Sequence, residues 1–158
     1  MTITVATVIS AIKRHLSIIG KRLYSKDGKN MFSDITLSSA EETQILTQYI
    51  NDSYYDIEGV LKQFITPDNT TPETGKIKFT ILNTRGETDF QARTQEMIEA
   101  YMTLNSVGEY LSMMHPDIAQ KYQRDAQQRI ESLVSYVFYK KPPTAPNYSY
   151  SNNTGTIS

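Results

Sequence analysis

Residues 4–24 read TVATVISAIKRHLSIIGKRLY, and this stretch decides the fold class. Placed at 100° intervals, Val5, Val8, Ile9, Ile12, Leu16, Ile19 and Leu23 fall in one sector about 100° wide. Lys13, Arg14, Lys21 and Arg22 fall on the other side. The spacing therefore predicts an amphipathic helix over roughly residues 4–24, about 30 Å long, with its apolar stripe against a core. The next six residues, SKDGKN, read as a turn because Asp-Gly favours one.

Three further helices follow from the same kind of pattern. Ser38-Ser39-Ala40-Glu41-Glu42 holds two overlapping capping boxes, Ser38 with Glu41 and Ser39 with Glu42. Leu46, Tyr49, Ile50, Ile57, Val60, Leu61 and Phe64 then continue at helical spacing, and this helix is expected to end by Thr66, ahead of Pro67. A third helix is expected to open at Thr88 with Gln91 in the capping-box position, presenting Phe90, Met97, Ile98, Tyr101, Leu104, Gly108 and Leu111 on one face. Gly108 lies in that face, where a missing side chain would let a neighbouring helix approach closely. The fourth helix starts after His115-Pro116, with Pro116 suited to a first helical position, and runs to about Tyr139. Ile118, Tyr122, Ala126, Ile130, Leu133, Tyr136 and Val137 give it one apolar face; Lys140-Lys141 suit its end and Pro142-Pro143 stop it.

Between the second and third helices, TPDNTTPETG (66–75) is a polar loop, and KIKFTIL (76–82) alternates in the period of a strand. No second strand is evident, and a lone strand leaves backbone groups unpaired. It either forms a hairpin through Asn83–Gly86 or pairs with another chain, which would make Phe79 and Ile81 interface residues. Residues 142–158, PPTAPNYSYSNNTGTIS, are too polar to build a core. Ordering them costs on the order of 1–2 kcal/mol per residue in backbone entropy. Contacts within the chain or with a neighbour must offset that, with Tyr148 and Tyr150 as anchors. The expected fold is all-α: a four-helix bundle over 1–141, a short strand or hairpin arm at about 66–87, and an extended tail over 142–158.

The 158 residues suit one domain. With no Cys, disulfides, thiolate–metal sites and Cys nucleophiles are excluded, while the redox compartment stays open. No apolar run approaches the roughly 18 residues that span a bilayer, so no membrane association is expected. The first residues lack the basic segment that precedes the apolar run of a signal peptide. The net charge of −1 hides an asymmetry: residues 1–30 carry six cations against Asp27 alone, whereas residues 31–60 carry six carboxylates and no Lys or Arg. Such segments are either solvated helix faces or complementary surfaces, within one fold or between copies.

No catalytic or cofactor constellation emerges. His15 and His115 have no metal-motif spacing. The pairs Glu96/Glu99 and Asp52/Asp56 are typical of solvated surface, and Thr84-Arg85-Gly86-Glu87 lacks the features of a phosphate loop. The expectation is a chain that is not an enzyme and carries no cofactor. The basic face of the first helix could contact phosphates, although a sequence pI near 6.1 argues against a dedicated DNA reader.

One region resembles a known family. The strand KIKFTIL, the helix with Tyr101, Leu104, Gly108 and Leu111, the run His115-Pro116-Asp117-Ile118-Ala119-Gln120-Lys121-Tyr122 and the ending Val137-Phe138-Tyr139-Lys140-Lys141-Pro142-Pro143 resemble the helical head–tail connector (adaptor or neck-ring) proteins of tailed bacteriophages, particularly those of Bacteroides-type hosts. The resemblance covers about two-fifths of the chain well, residues 79–143, and its motifs are weakly specific. It implies a structural virion protein at the portal–tail junction, present in host cytoplasm before assembly. Such proteins form a homo-oligomeric ring, usually twelvefold, that extends the DNA channel and docks portal, neck or tail proteins. Lys13, Arg14, Lys21 and Arg22 would then face passing DNA or a neighbouring subunit. A small regulatory nucleic-acid-binding bundle using the first helix is the alternative.

Overall fold

The computed structural model describes residues 1–23, 28–29, 40–67 and 75–139. The described chain is an all-α four-helix bundle with a small antiparallel sheet at one side. The helices are α1 (Val5–Arg22), α2 (Ala40–Val60), α3 (Phe90–Ser112) and α4 (Pro116–Phe138). Three strands, β1 (Thr2–Thr4), β2 (Ile65–Pro67) and β3 (Lys76–Ile81), lie in the order β1-β3-β2. No helix is long and apolar enough to cross a membrane among these residues. The capping serines Ser38 and Ser39, the turn at 25–27, Lys140-Lys141 and the tail at 142–158 lie outside the described residues.

The apolar stripe of α1 is buried as its spacing predicts: Val5, Val8, Ile12, Leu16 and Ile19 all enter the core. It starts at Val5 with Thr4 as its N-cap, as expected, and a strand precedes it. Ile3 is buried, but as the inward residue of a strand in which Thr2 and Thr4 face out. Ile3 and Val5 alternate with Thr2 and Thr4 in the period of a strand, and Thr2, Ile3 and Thr4 pair with Lys78, Ile77 and Lys76.

The strand read at 76–82 is not alone. β3 is the central strand, bounded by β1 on one side and by β2 on the other, where Ile65, Thr66 and Pro67 face Ile81, Thr80 and Phe79. The expected hairpin arm is present as β2 and β3, and not through residues 83–86. Residues 83–86 form the turn into α3, with Asn83 Oδ1 accepting from the Arg85 and Gly86 amides and Gly86 at a positive φ that suits glycine. α2 ends at Val60, short of the expected Thr66, because the β-branched pair Ile65-Thr66 ahead of Pro67 favours extended backbone.

α3 packs against α1, α2 and α4. It is buried on several sides rather than along one stripe: Phe90, Ile98, Tyr101, Met102, Val107, Tyr110 and Leu111 are joined by the polar Thr94, Thr103 and Ser106. A helix surrounded by others buries residues all round its axis. Gln91 does not form the expected capping box; its Nε2 donates to the Ile81 carbonyl at 2.9 Å and ties α3 to β3. The close approach expected at Gly108 is present: a Cβ there would stand 2.9 Å from Gln123 Cγ and 3.3 Å from its backbone nitrogen on α4. Pro116 opens α4, and the His115 carbonyl accepts from the Ile118 and Ala119 amides.

Ser106 Oγ is buried and has no hydrogen-bond partner among the described residues. An unsatisfied buried hydroxyl costs about 1–3 kcal/mol, and Ala is the better helix former. Ser106→Ala is therefore expected to raise stability by about 1 kcal/mol, read as a higher urea midpoint at unchanged slope.

Candidate assembly surface

α1 turns its polar side outward. Lys13, Arg14, Lys21 and Arg22 are all exposed, as the first-helix pattern predicts. Between Arg14 and Arg22 on the same side stands Ile18, which is 45% exposed. Ile18 gives no signal in the sequence, since a single apolar residue among cations has no periodicity.

α2 presents the opposite charge. Glu41, Gln48 and Asp52 are exposed along one side, together with Ile45 at 38% and Tyr55 at 57% exposure. Asp56 is also exposed and accepts a 2.8 Å hydrogen bond from the Tyr101 hydroxyl of α3. Burial first, then this bond, raise the Tyr101 pKa far above its ordinary value. Asp56 is thus held by its own bundle, whereas Glu41 and Asp52 point from the surface. Among the described residues, no ion pair joins Lys13, Arg14 or Arg22 to Glu41 or Asp52.

Phe79 and Ile81, expected at an interface with another chain, are instead core residues, 1% and 2% exposed. The strand alternates as read, but its apolar face is turned onto the bundle, with the Phe79 ring 5.4 Å from Tyr54. They are not a free docking face. Tyr148 and Tyr150 lie outside the described residues.

A cluster missed by sequence reasoning lies where α4 ends. The Arg85 guanidinium sits 4.4 Å from the ring centres of both Tyr136 and Tyr139, and its Nε donates to Glu87 at 2.8 Å. The Tyr136 hydroxyl donates to the other Glu87 oxygen at 2.9 Å, and Thr84 Oγ1 donates to the Val137 carbonyl. The bond from Arg85, then that from Tyr136, lower the Glu87 pKa below its ordinary value. The cluster joins the turn ahead of α3 to the end of α4 across some fifty positions, a separation at which no local pattern signals contact. An open cleft beside it is lined by Arg85, Gln128, Glu131 and Tyr136.

His15 packs edge-on against Tyr122 of α4, with ring centres 5.9 Å apart. Burial first, and then the Arg14 charge, lower its pKa from the ordinary 6.5. The unfolded chain therefore takes up this proton before the folded one does. Stability from His15 is complete above about pH 6.5 and is lost as the pH falls towards the depressed folded-state value. His15→Gln is expected to flatten the fall in stability between about pH 7.5 and pH 5.5, measured by urea unfolding at each pH. An equal fall in both proteins would contradict the assignment.

Among the described residues, no group of three or more His, Asp or Glu side chains is placed to hold a metal ion. Comparison with protein-family models, with curated proteins and with solved structures finds no match to this chain.

Proposed function

We propose that this chain is a structural component of a tailed-phage virion, a head–tail connector or neck-ring subunit at the portal–tail junction. The observation that carries the reading is the resemblance over residues 79–143. The described part of that span, 79–139, holds the end of β3, then α3, then the Pro-started α4, with the two helices in close approach at Gly108. The charged helix faces support it further. Cations on α1 and carboxylates on α2 are dispositions suited to subunit contacts and to a channel through which DNA passes without being read. In this reading the protein works by shape and contact, takes no cofactor and catalyses nothing. Its partners are further copies of itself in a ring, a portal protein and neck or tail proteins.

The experiment is recovery of the tagged full-length chain from phage-infected cells, followed by mass spectrometry. Portal together with neck or tail proteins is the expected result. Recovery of host DNA and regulatory proteins alone would overturn the proposal.

The exposure of Lys13, Arg14, Lys21 and Arg22 on one helix favours a second reading, a small nucleic-acid-binding bundle. That reading requires wild-type binding to duplex DNA near 50 mM salt (about the range where phosphate contacts are strongest). It also requires loss of binding when the four cations become Ala.

A further inference from the structure

The outward face of α1 and the outward face of α2 have matching anatomy. On α1, Ile18 stands between Arg14 and Arg22. On α2, Glu41, Ile45, Gln48, Asp52 and Tyr55 recur at spacings of three and four. They make a stripe about 21 Å long at 1.5 Å per residue. The α1 face has one exposed apolar side chain and the α2 face two, each bordered by one sign of charge, and the signs are opposite. Apolar contact with a charged rim is the usual composition of a specific interface, and opposite rims set its register and partner.

The two faces cannot meet within one chain. α1 and α2 pack on one another and on α3 through their inner sides, where Val8, Ile12, Leu16, Leu46, Ile50 and Ile57 are buried. Their outer sides point away from that core. We infer that the α1 face centred on Ile18 and the α2 face bearing Ile45 and Tyr55 are the two halves of a contact between copies of this chain. DNA would satisfy the cations of α1 but would leave Ile18 against phosphates and α2 without a partner. A second copy occupies both faces at once. The contact joins unlike surfaces, so each copy retains a free α1 face and a free α2 face for further neighbours, and such a chain of contacts closes into a ring when the rotation permits. The inference rests on the connector reading for its purpose, and on the two faces for its geometry.

The test is sedimentation velocity of the full chain over a concentration series, at about 50 mM and about 500 mM salt. Association that weakens with salt is expected. Two charge-reversed chains then locate it: Arg14→Glu with Arg22→Glu on α1, and Glu41→Lys with Asp52→Lys on α2. Each is expected to self-associate about 100-fold more weakly than wild type, because like charges then oppose across the contact. All four residues are exposed, so circular dichroism and urea midpoints should stay near wild type. An equal mixture of the two variants should associate again, since the acidic α1 face meets a basic α2 face and the reverse.

A wild-type chain monomeric at about 100 μM in low salt, well above the range expected of a specific contact, would overturn the inference. So would a mixture that fails to reassociate. Loss of DNA binding by the α1 variant with its self-association intact would overturn it in favour of nucleic acid. A monomeric chain that still recovers portal and neck proteins from infected cells would refute this contact and leave the connector reading standing.

Discussion

Phe79→Ala is expected to lower the unfolding free energy by about 3–5 kcal/mol. The side chain is among the largest fully buried ones in the chain. It stands on the central strand, where its amide donates to the Met1 carbonyl at 3.1 Å and its Cα faces Pro67 of β2. Its ring lies against Tyr54 of α2 at a 31° tilt. Truncation would remove the apolar area that ties the sheet to α2 and leave a cavity between two elements that are themselves fixed by hydrogen bonds. A domain of ordinary stability, roughly 5–15 kcal/mol, would lose a large fraction of it. The check is urea unfolding by fluorescence of the tyrosines, with the midpoint falling and the slope unchanged. A loss below about 1 kcal/mol, the range of an unremarkable surface change, would mean that β3 is not anchored on the bundle and that the strand is free for other partners.

The second large effect is at Gly108. A Cβ there would meet Gln123 Cγ at 2.9 Å and the Gln123 backbone nitrogen at 3.3 Å. Gln123 is exposed and its side chain can swing aside, but its backbone belongs to α4. Gly108→Val adds a Cβ and two methyl groups at this crossing and forces α3 and α4 apart, at a cost of about 1–3 kcal/mol from overpacking. Gly108→Ala is expected to cost much less, because one methyl displaces mainly Gln123 Cγ while the helix gains about 1 kcal/mol in propensity. Thermal unfolding of both variants decides the matter. A Val variant as stable as the Ala variant would show that the approach of α3 to α4 is not limited by the glycine.

The helices were legible because each of α1, α2 and α4 has a solvent side, so burial imposes a period on the sequence. α1 shows this best: seven apolar residues in one sector, five of them within the buried set of the helix. α3 was legible in extent but not in its contacts, since Thr103 and Ser106 are buried by neighbours on sides that no single stripe describes. β1 and β2 carry little sequence signal because three residues are too few to display alternation, and Ile65-Thr66 lies within the extent expected of the second helix. The hairpin partner of β3 is β2, which precedes it, rather than a strand after Asn83–Gly86; β1 pairs along residues 76–78 and β2 along 79–81. This moved Phe79 and Ile81 from a supposed interface to the core.

The candidate surfaces divide in the same way. The charge asymmetry between residues 1–30 and 31–60 is plain in the sequence, and α1 and α2 do carry their charges outward. What composition could not show is that Ile18, Ile45 and Tyr55 stand exposed among those charges, because exposure depends on which helix faces the core. The Arg85–Tyr136–Tyr139 cluster was illegible for another reason. Its members are brought together only when α4 returns along α3, so its existence depends on helix lengths and on the Gly108 crossing rather than on any local motif.

The proposed place of this chain is in a virion neck. It is tested most directly by labelling purified tailed particles with gold-conjugated antibody against the chain, after gentle opening of the head–tail junction, and imaging them by electron microscopy. The account predicts label confined to the portal–tail junction. Particles that carry no label, with the chain recovered only in the host-cell fraction bound to DNA, would contradict it.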